Sequence, residues 1–355
     1  MTESIKNRYN YESLYKVAMD IQSVYEAFQV DEFLKSTMDD TWDGLELKDR
    51  IIKISDNLGQ YLPAKYSEAI SIIDKIVMNY GNWLDGFAGF FPIFVEIYGQ
   101  HEADWDMSMG ALARYTQYAS SELAVRAFII KDEKRMMKQM IEWSKSDNEY
   151  VRRLSCEGCR PALPWGQALI SFKKDPTPIL PILEQLKNDI SIHVRKSVAN
   201  NLNDISKTHP ELVTKIARNW YGKSKETDWI VKHGCRTLLK NGHRDVLAIF
   251  GYQNTMITVE SFALSKNAIF IGENISTKEE TKARLEYGID YVKFNGKRNR
   301  KIFKISEMTL KNSERKQYTK KHSFADISTR KHYPGIHSLT LITVSYTHLR
   351  AHETA

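Results

Sequence analysis

The sequence predicts a mainly α-helical fold: a superhelix (solenoid) of stacked helical pairs over residues 1–252, followed by a small β-sandwich over residues 253–344. Three observations support this prediction. Apolar residues recur at helical spacing in the first part of the chain, basic helical segments repeat at a regular interval, and β-forming residues dominate after Tyr252. A length of 355 residues suits two domains.

The helices are predicted from stripes of apolar side chains. Residues 133–146, 177–189 and 209–222 each place apolar residues three and four positions apart, which is the spacing of one helix face. The most apolar stretch, Phe87–Val95, is far too short to cross a bilayer, so we expect buried helices there and no membrane partner.

A repeat is predicted from three segments in the middle of the chain. In each, an acid is expected to cap a helix, and a Val-Arg or Val-Lys pair follows. The basic residues of these pairs, Arg152, Arg195 and Lys232, stand 43 and 37 residues apart. This is the interval of HEAT-type helical pairs, which stack into a superhelix with one continuous binding face.

Basic residues are concentrated after the first 110 positions. Residues 1–110 contain 9 Lys and Arg against 19 Asp and Glu, whereas the whole chain has a formal net charge of +7. A polyanion is the expected partner of such a surface, and nucleic acid is the commonest polyanion; ordinary solvated lysines are the alternative. The candidate contacts on the repeated helices are Arg153, Arg160, Arg195, Lys196, Lys232 and Arg236.

The β-sandwich is predicted from alternating β-formers separated by turn residues, with Asn295–Lys301 as a turn between two strands. A loop at Ser328–Ser338 combines aromatic and cationic side chains. The last stretch, Ser345–Ala355, fits neither pattern. We expect it to be a non-native tail outside the fold, and the sandwich then to lack its last strand.

Three cysteines give no disulfide framework, which is typical of a reducing cytosol, so a cytoplasmic location is expected. Cys156 and Cys159 form a C-x-x-C pair, but a structural zinc site needs four Cys or His ligands. Only His233 accompanies the third cysteine, Cys235. Packing of the pair against a neighbouring helix is therefore favoured, and no metal or organic cofactor is predicted.

Several of these motifs together resemble a known family. The stretches "SSELAVRAF", "VRRLSCEGCRPALPW" and "VRKSVANNLNDISK", in this order on a helical-repeat frame, resemble the AlkC-type DNA alkylation repair glycosylases of the AlkC/AlkD HEAT-like repeat family. The β domain with "STRKHYPGIHSLTL" resembles their immunoglobulin-like domain. The resemblance covers roughly residues 10–344 and implies a monomer that removes cationic alkylated bases, chiefly 3-methyladenine, from double-stranded DNA without base flipping.

The resemblance also implies roles for individual residues. Glu122 matches a carboxylate that faces the sugar of the lesion, Glu157 a second acid, and Asp204 the acid contributed by the next repeat. Trp165 matches the aromatic residue beside the damaged nucleotide. In the immunoglobulin-like domain the candidate DNA contacts are Arg330, Lys331 and His332.

Carboxylates suit this chemistry because a cationic base is already a good leaving group, so no general acid is needed. Breaking its bond leaves positive charge on the sugar, as in other glycosidic transition states. A carboxylate about 4 Å from a unit positive charge is worth ~4 kcal/mol at an effective dielectric near 20, or roughly a thousandfold in rate.

Structural alternatives exist for each residue. Glu122 could be a capping-box acid, Asp204 could bond the backbone at a helix end, and Glu157 could form an ion pair with a flanking arginine. Trp165 could be a core residue. At the level of the whole protein, the alternatives are a non-catalytic repeat scaffold that binds nucleic acid, and a protein-interaction adaptor, which would show apolar residues on the repeated face.

Overall fold

The computed structural model describes residues 5–81, 87–252, 262–265, 268–271, 281–311, 314, 318–320, 322, 324, 331–343 and 347–352. These residues form two compact units. The first contains the chain up to Val213 together with Trp220–Gly234, and the second contains Thr214–Asn219 and the chain from Cys235 onward.

The first part of the chain is helical, as predicted. The α-helices are α1 (Tyr11–Val24), α2 (Val30–Thr37), α3 (Leu47–Tyr61), α4 (Tyr66–Ile76), α5 (Phe90–Tyr98), α6 (Trp105–Tyr115), α7 (Val125–Lys131), α8 (Glu133–Trp143), α9 (Glu149–Glu157), α10 (Ile170–Lys174), α11 (Leu180–Leu186), α12 (Ile192–Ile205), α13 (Pro210–Trp220), α14 (Lys225–Gly234), α15 (Arg236–Lys240) and α16 (Arg244–Ile249).

The three helices predicted from apolar stripes are confirmed as α8, α11 and α13. The apolar stretch Phe87–Val95 is a short 3-10 turn followed by α5, and Phe90, Phe91 and Phe94 of this helix are fully buried. A search of the described residues finds no helix with the length and apolar character of a membrane span. Burial of these aromatic side chains contributes to the core of the N-terminal helices.

The predicted repeat is confirmed in its packing, since α9 packs against α12 and α12 packs against α14. The predicted caps are wrong by one or two positions. Asn148 and Ser191, rather than the acids before them, accept the hydrogen bonds that begin α9 and α12. The Asp189 carboxylate instead accepts from the Ser191 amide, which shapes the turn before the cap.

Arg152 and Arg195 occupy equivalent positions in their repeats. Each stands four residues after its capping residue, and Nη1 of each donates to the two carbonyls just before the cap, at 2.7 to 2.9 Å. Lys232 is not equivalent to them. Its helix is capped by Ser224, whose hydroxyl accepts from the Thr227 amide, so Lys232 lies one turn further along.

The second unit contains the strands β1 (Phe262–Ser265), β2 (Ala268–Ile271), β3 (Thr281–Val292), β4 (Arg298–Leu310), β5 (Tyr318–Lys320), β6 (Ser338–Thr343) and β7 (Thr347–His352). They form two antiparallel sheets, in the orders β1-β2-β5 and β4-β3-β6-β7. Two sheets of this kind are what a β-sandwich requires. Apolar side chains of β3 and β6, among them Tyr287 and Leu341, form the buried cluster of the larger sheet.

The predicted turn at Asn295–Lys301 is confirmed for residues 295–297, which lie in the hairpin between β3 and β4, whereas residues 298–301 belong to β4. Gly296 has a φ of +72°, and the Lys293 amide donates to the Lys297 carbonyl at 2.9 Å. Glycine suits this position because it adopts positive φ at little cost. The last residues do not lie outside the fold, because β7 pairs antiparallel with the edge of β6. That they form a non-native tail, and that the sandwich lacks its last strand, stay predictions.

Candidate functional site

A cavity of about 600 Å³ lies in the helical unit, and we name it the Trp165 pocket. Three of the predicted site residues, Glu122, Arg153 and Trp165, line it. The remaining wall comes mainly from the N-terminal third of the chain. Its apolar part includes Tyr9, Leu47, Ile51, Ile52, Ile93 and Leu123, and its polar part includes Glu46, Lys48 and Ser120.

Glu122 is held by a serine and an arginine. It lies in the turn before α7, and its Oε2 accepts from the Ser120 hydroxyl at 2.7 Å and from Nη1 of Arg153 at 2.7 Å. The capping alternative is wrong for Glu122, because no side chain caps α7. The carboxylate is instead anchored to α9 through Arg153, at the edge of the Trp165 pocket.

Glu157 and Asp204 meet at one guanidinium group. Nη1 of Arg160 contacts Oε1 of Glu157 at 2.5 Å, and Nε of Arg160 donates to Oδ2 of Asp204 at 2.9 Å. Lys207 binds the second oxygen of Asp204 at 2.9 Å. The ion-pair alternative is therefore confirmed for Glu157, while the Asp204 side chain bonds cations rather than the helix backbone.

This cluster is buried, since Glu157, Asp204 and Arg160 are 5%, 4% and 7% exposed. Arg160, a candidate DNA contact, binds both carboxylates through its guanidinium, and its contact with DNA stays a prediction. Burial works against the charged form of Arg160, yet Glu157 and Asp204 raise its pKa.

Trp165 stands out from the surface of the helical unit. It is 72% exposed and has a φ of +63°, so the alternative of a core residue is wrong. The Lys48 ammonium donates to the Trp165 carbonyl at 3.3 Å across 117 residues of sequence. An exposed indole beside a pocket is available to stack on a partner.

The C-x-x-C pair lies inside the helical packing, as favoured from the sequence. Cys156 and Cys159 are fully buried, and Nδ2 of Asn201 on α12 donates to the Cys156 carbonyl at 2.9 Å. Burial raises the pKa of Cys156 to about 12. The described residues contain no group of three or more His, Cys, Asp or Glu side chains placed to hold a metal ion.

The other candidate DNA contacts fall into different environments. Lys196, Lys232 and Lys331 are exposed, and Arg236 and His332 are half-buried. Arg195 binds the carbonyls of its own turn. Arg330 lies outside the described residues. Contact with DNA stays a prediction for each of these residues.

The contribution of the N-terminal third to the wall of the Trp165 pocket was not predicted from the sequence. Tyr9, Lys48 and Ile51 line the same pocket as Trp165, although nothing in their local sequence marks them. A hydrophobic stripe on α3 predicts burial, and it does not distinguish a residue of the core from a residue of a pocket wall.

Comparison with known proteins gives two family matches within the chain. The model of the DNA alkylation repair enzyme family matches residues 119–238, and the model described as the C-terminal Ig-like domain of uncharacterised protein YhaZ matches residues 258–345. The first range contains all four predicted catalytic residues, and the second contains most of the described strands.

Two full-length similarities complete the comparison. The uncharacterized protein YhaZ of Bacillus subtilis (strain 168) is 44% identical over 346 residues, with 95% of each chain covered. The solved structure of Pseudomonas fluorescens alkylpurine DNA glycosylase AlkC, bound to DNA containing an abasic site analog, matches with a TM-score of 0.92 and 31% identity. The match covers 99% of this chain and 100% of that one.

Proposed function

The chain belongs to the DNA alkylation repair enzyme family, with a C-terminal Ig-like domain, and we propose that it is a DNA glycosylase for cationic alkylated bases. Its chief substrate in this proposal is 3-methyladenine in double-stranded DNA, removed by hydrolysis of the N-glycosidic bond without base flipping. The observation that carries the proposal is the exposed Trp165 in one pocket with Glu122 and with Arg153, the arginine that binds the Glu122 carboxylate.

Ion pairs through two arginines connect the three acids to α9 and its surroundings. Arg153, the partner of Glu122, stands one turn before Glu157 on this helix, and Glu157 shares Arg160 with Asp204. Arg153 thus ties Glu122 to α9, and Arg160 ties Glu157 of α9 to Asp204 of α12. In this proposal the three carboxylates stabilise a transition state in which the sugar is a cation.

In the protein alone each acid is matched by a cation. DNA phosphates would compete for two of these cations, because the Lys207 side chain is 49% exposed and Arg153 lines the Trp165 pocket. A phosphate that draws Arg153 or Lys207 away leaves Glu122 or Asp204 with more net negative charge. In this proposal DNA binding itself completes the electrostatic field at the sugar.

The decisive experiment measures release of free 3-methyladenine from methylated duplex DNA. We expect release by the unaltered protein, and a loss of at least about a hundredfold in Glu122→Gln with little change in DNA affinity. Glu142→Gln is the matched control, since that carboxylate is exposed and pairs with Lys145 three residues along the chain. Tight DNA binding by a folded protein that releases no base overturns the proposal.

A non-catalytic DNA-binding scaffold is the second candidate. The observation in its favour is that every predicted catalytic acid already has an arginine partner, which is also what a purely structural ion pair requires. The two candidates differ in the assay above: a scaffold binds methylated and unmethylated duplexes equally and yields no free base.

We also propose the boundary between the two domains near residue 252, a monomeric state and a cytoplasmic location. The end of α16 at Ile249 and the start of the Ig-like family match at residue 258 support the boundary, whereas by their contacts α15 and α16 fall in the same compact unit as the strands. Lys196 and Lys232 on the helices, with Arg330, Lys331 and His332 in the Ig-like domain, remain the proposed phosphate contacts. Size measurement in solution and salt-dependent DNA binding of their alanine variants test these points.

A further inference from the structure

Arg126 is a buried arginine to which neither the sequence pattern nor the resemblance gives a role. It lies on α7 and is 1% exposed. Its Nη1 donates to the carbonyls of Gly158 and Arg160, both at 2.9 Å, and its Nε donates to the carbonyl of Gln167 at 2.5 Å. One guanidinium therefore binds both ends of the irregular segment 158–169, which carries Trp165.

This segment has few bonds of its own. Within it, the Gly166 amide donates to the Leu163 carbonyl at 3.2 Å, and the Leu169 amide donates to the Pro161 carbonyl at 3.3 Å. Trp165 nevertheless has a φ of +63° and an exposed side chain. A residue other than glycine keeps such a conformation only where its surroundings fix it.

The packing around Arg126 is close. A Cβ atom added at Gly166 would lie 3.0 Å from Cδ of Arg126 and 3.1 Å from Nε. Glycine at this position lets the backbone next to Trp165 approach the stem of the arginine. Burial lowers the pKa of Arg126 to about 10, which leaves the guanidinium charged at neutral pH and a strong donor to the three carbonyls.

We propose that Arg126 is a positioning residue that holds segment 158–169 and so presents Trp165 at the pocket beside Glu122. The contacts of Arg126 are sufficient to infer that it holds segment 158–169. The expected effect of Arg126 on turnover, in contrast, rests on the proposed glycosylase function. Arg126 itself does not touch the substrate in this scheme.

The test is Arg126→Lys, because a lysine ammonium keeps the charge but cannot span three carbonyls in the fixed geometry of a guanidinium. We expect kcat for base release to fall about tenfold or more, with KM changed less than about twofold. Amide hydrogen exchange over residues 158–169 should become about tenfold faster, because the segment opens more readily.

Arg152→Lys is the matched control. Arg152 also donates through Nη1 to two carbonyls, those of Ser146 and Asp147, and through Nε and Nη2 to the Asp189 carboxylate, and none of these groups belongs to segment 158–169. Its variant should lose thermal stability without a change in kcat or in the exchange of residues 158–169. An equal loss of kcat in both variants would mean that general destabilisation, and not positioning, explains the result.

Other outcomes also decide the matter. If Arg126→Lys keeps both the turnover and the exchange of the unaltered protein, the inference is overturned. If this variant does not fold, exchange in the unaltered protein decides, since a segment that exchanges like an unfolded chain is not held by Arg126. If no protein releases base but exchange responds as expected, the proposed function fails while the positioning of Trp165 stands.

Discussion

Nη1 of Arg153 donates to Oε2 of Glu122 at 2.7 Å, which ties α9 to the turn before α7 across 31 residues. Both side chains are largely withdrawn from water, with exposures of 14% and 22%. Such a pair contributes more to folding stability than an exposed ion pair does. Loss of either partner, however, leaves the other charge incompletely solvated. The same contact therefore links folding stability to the charge available at the pocket.

We predict a measurable coupling between these two residues. Glu122→Gln and Arg153→Met should each reduce the free energy of unfolding by about 1 kcal/mol, and the double variant by clearly less than their sum, because the contact is lost only once. Urea unfolding of the four proteins measures the coupling. Strict additivity would show that the contact contributes nothing to stability.

Asp204 should be far less tolerant of substitution than its partner Lys207. Asp204→Asn leaves the buried Arg160 with one carboxylate in place of two, and we expect a cost of about 3 kcal/mol. Lys207→Met should cost less than about 0.5 kcal/mol, because that lysine is half exposed. Thermal unfolding compares the two, and activity of Asp204→Asn must be measured well below its unfolding midpoint.

Trp165 should contribute to function rather than to stability. Trp165→Ala removes a side chain that is 72% exposed, and we expect the free energy of unfolding to change by less than about 0.5 kcal/mol. Trp165→Gly should be no less stable than Trp165→Ala, since glycine relieves the positive φ. Both should lose base release. A variant that unfolds readily would show that the indole packs more tightly than its exposure indicates.

The raised pKa of Glu96 predicts that the stability of the folded protein depends on pH. Burial raises the pKa of this α5 carboxyl from 4.5 to about 7, against the opposing charge of Lys48. The native protein therefore holds a proton that the unfolded chain loses above about pH 4.5. The free energy of unfolding should fall by up to about 3 kcal/mol as pH rises from 4.5 to 7.

Glu96→Gln should remove this component, because an amide does not titrate. Urea unfolding at pH 5 and pH 8 measures the difference, with Glu142→Gln as the exposed control. If the free energy of unfolding changes equally between pH 5 and pH 8 in Glu96→Gln and in Glu142→Gln, Glu96 does not titrate as described.

The sequence predicted best what local patterns determine. Apolar stripes located α8, α11 and α13, and the spacing of basic residues identified α9 and α12 as stacked repeats. The predicted alignment of the third repeat is wrong by one helical turn. Its Val-Lys pair, which ends at Lys232, looks like the Val-Arg pairs of the other two repeats, but its helix is capped by Ser224, eight residues earlier. A short motif cannot fix register when the capping residue differs.

Features that depend on contacts between distant parts of the chain were not predicted from the sequence. The resemblance supplied Glu122, Glu157 and Asp204, but nothing local showed that Arg160 would join two of them in a buried cluster. Lys48 reaches Trp165 across 117 residues, so the part played by the acidic N-terminal third in the pocket wall could not be foreseen. Long-range packing of this kind is decided by the whole fold and not by periodicity.

The paired arginines Arg152 and Arg195 have a consequence for how the repeats can vary in length. Each closes the turn in front of its own helix through bonds to the two residues before the cap. The four-residue interval from cap to arginine is fixed by that geometry. We therefore expect insertions and deletions to be tolerated upstream of the turn, whereas an insertion between the cap and the arginine would leave two carbonyl groups without their donor.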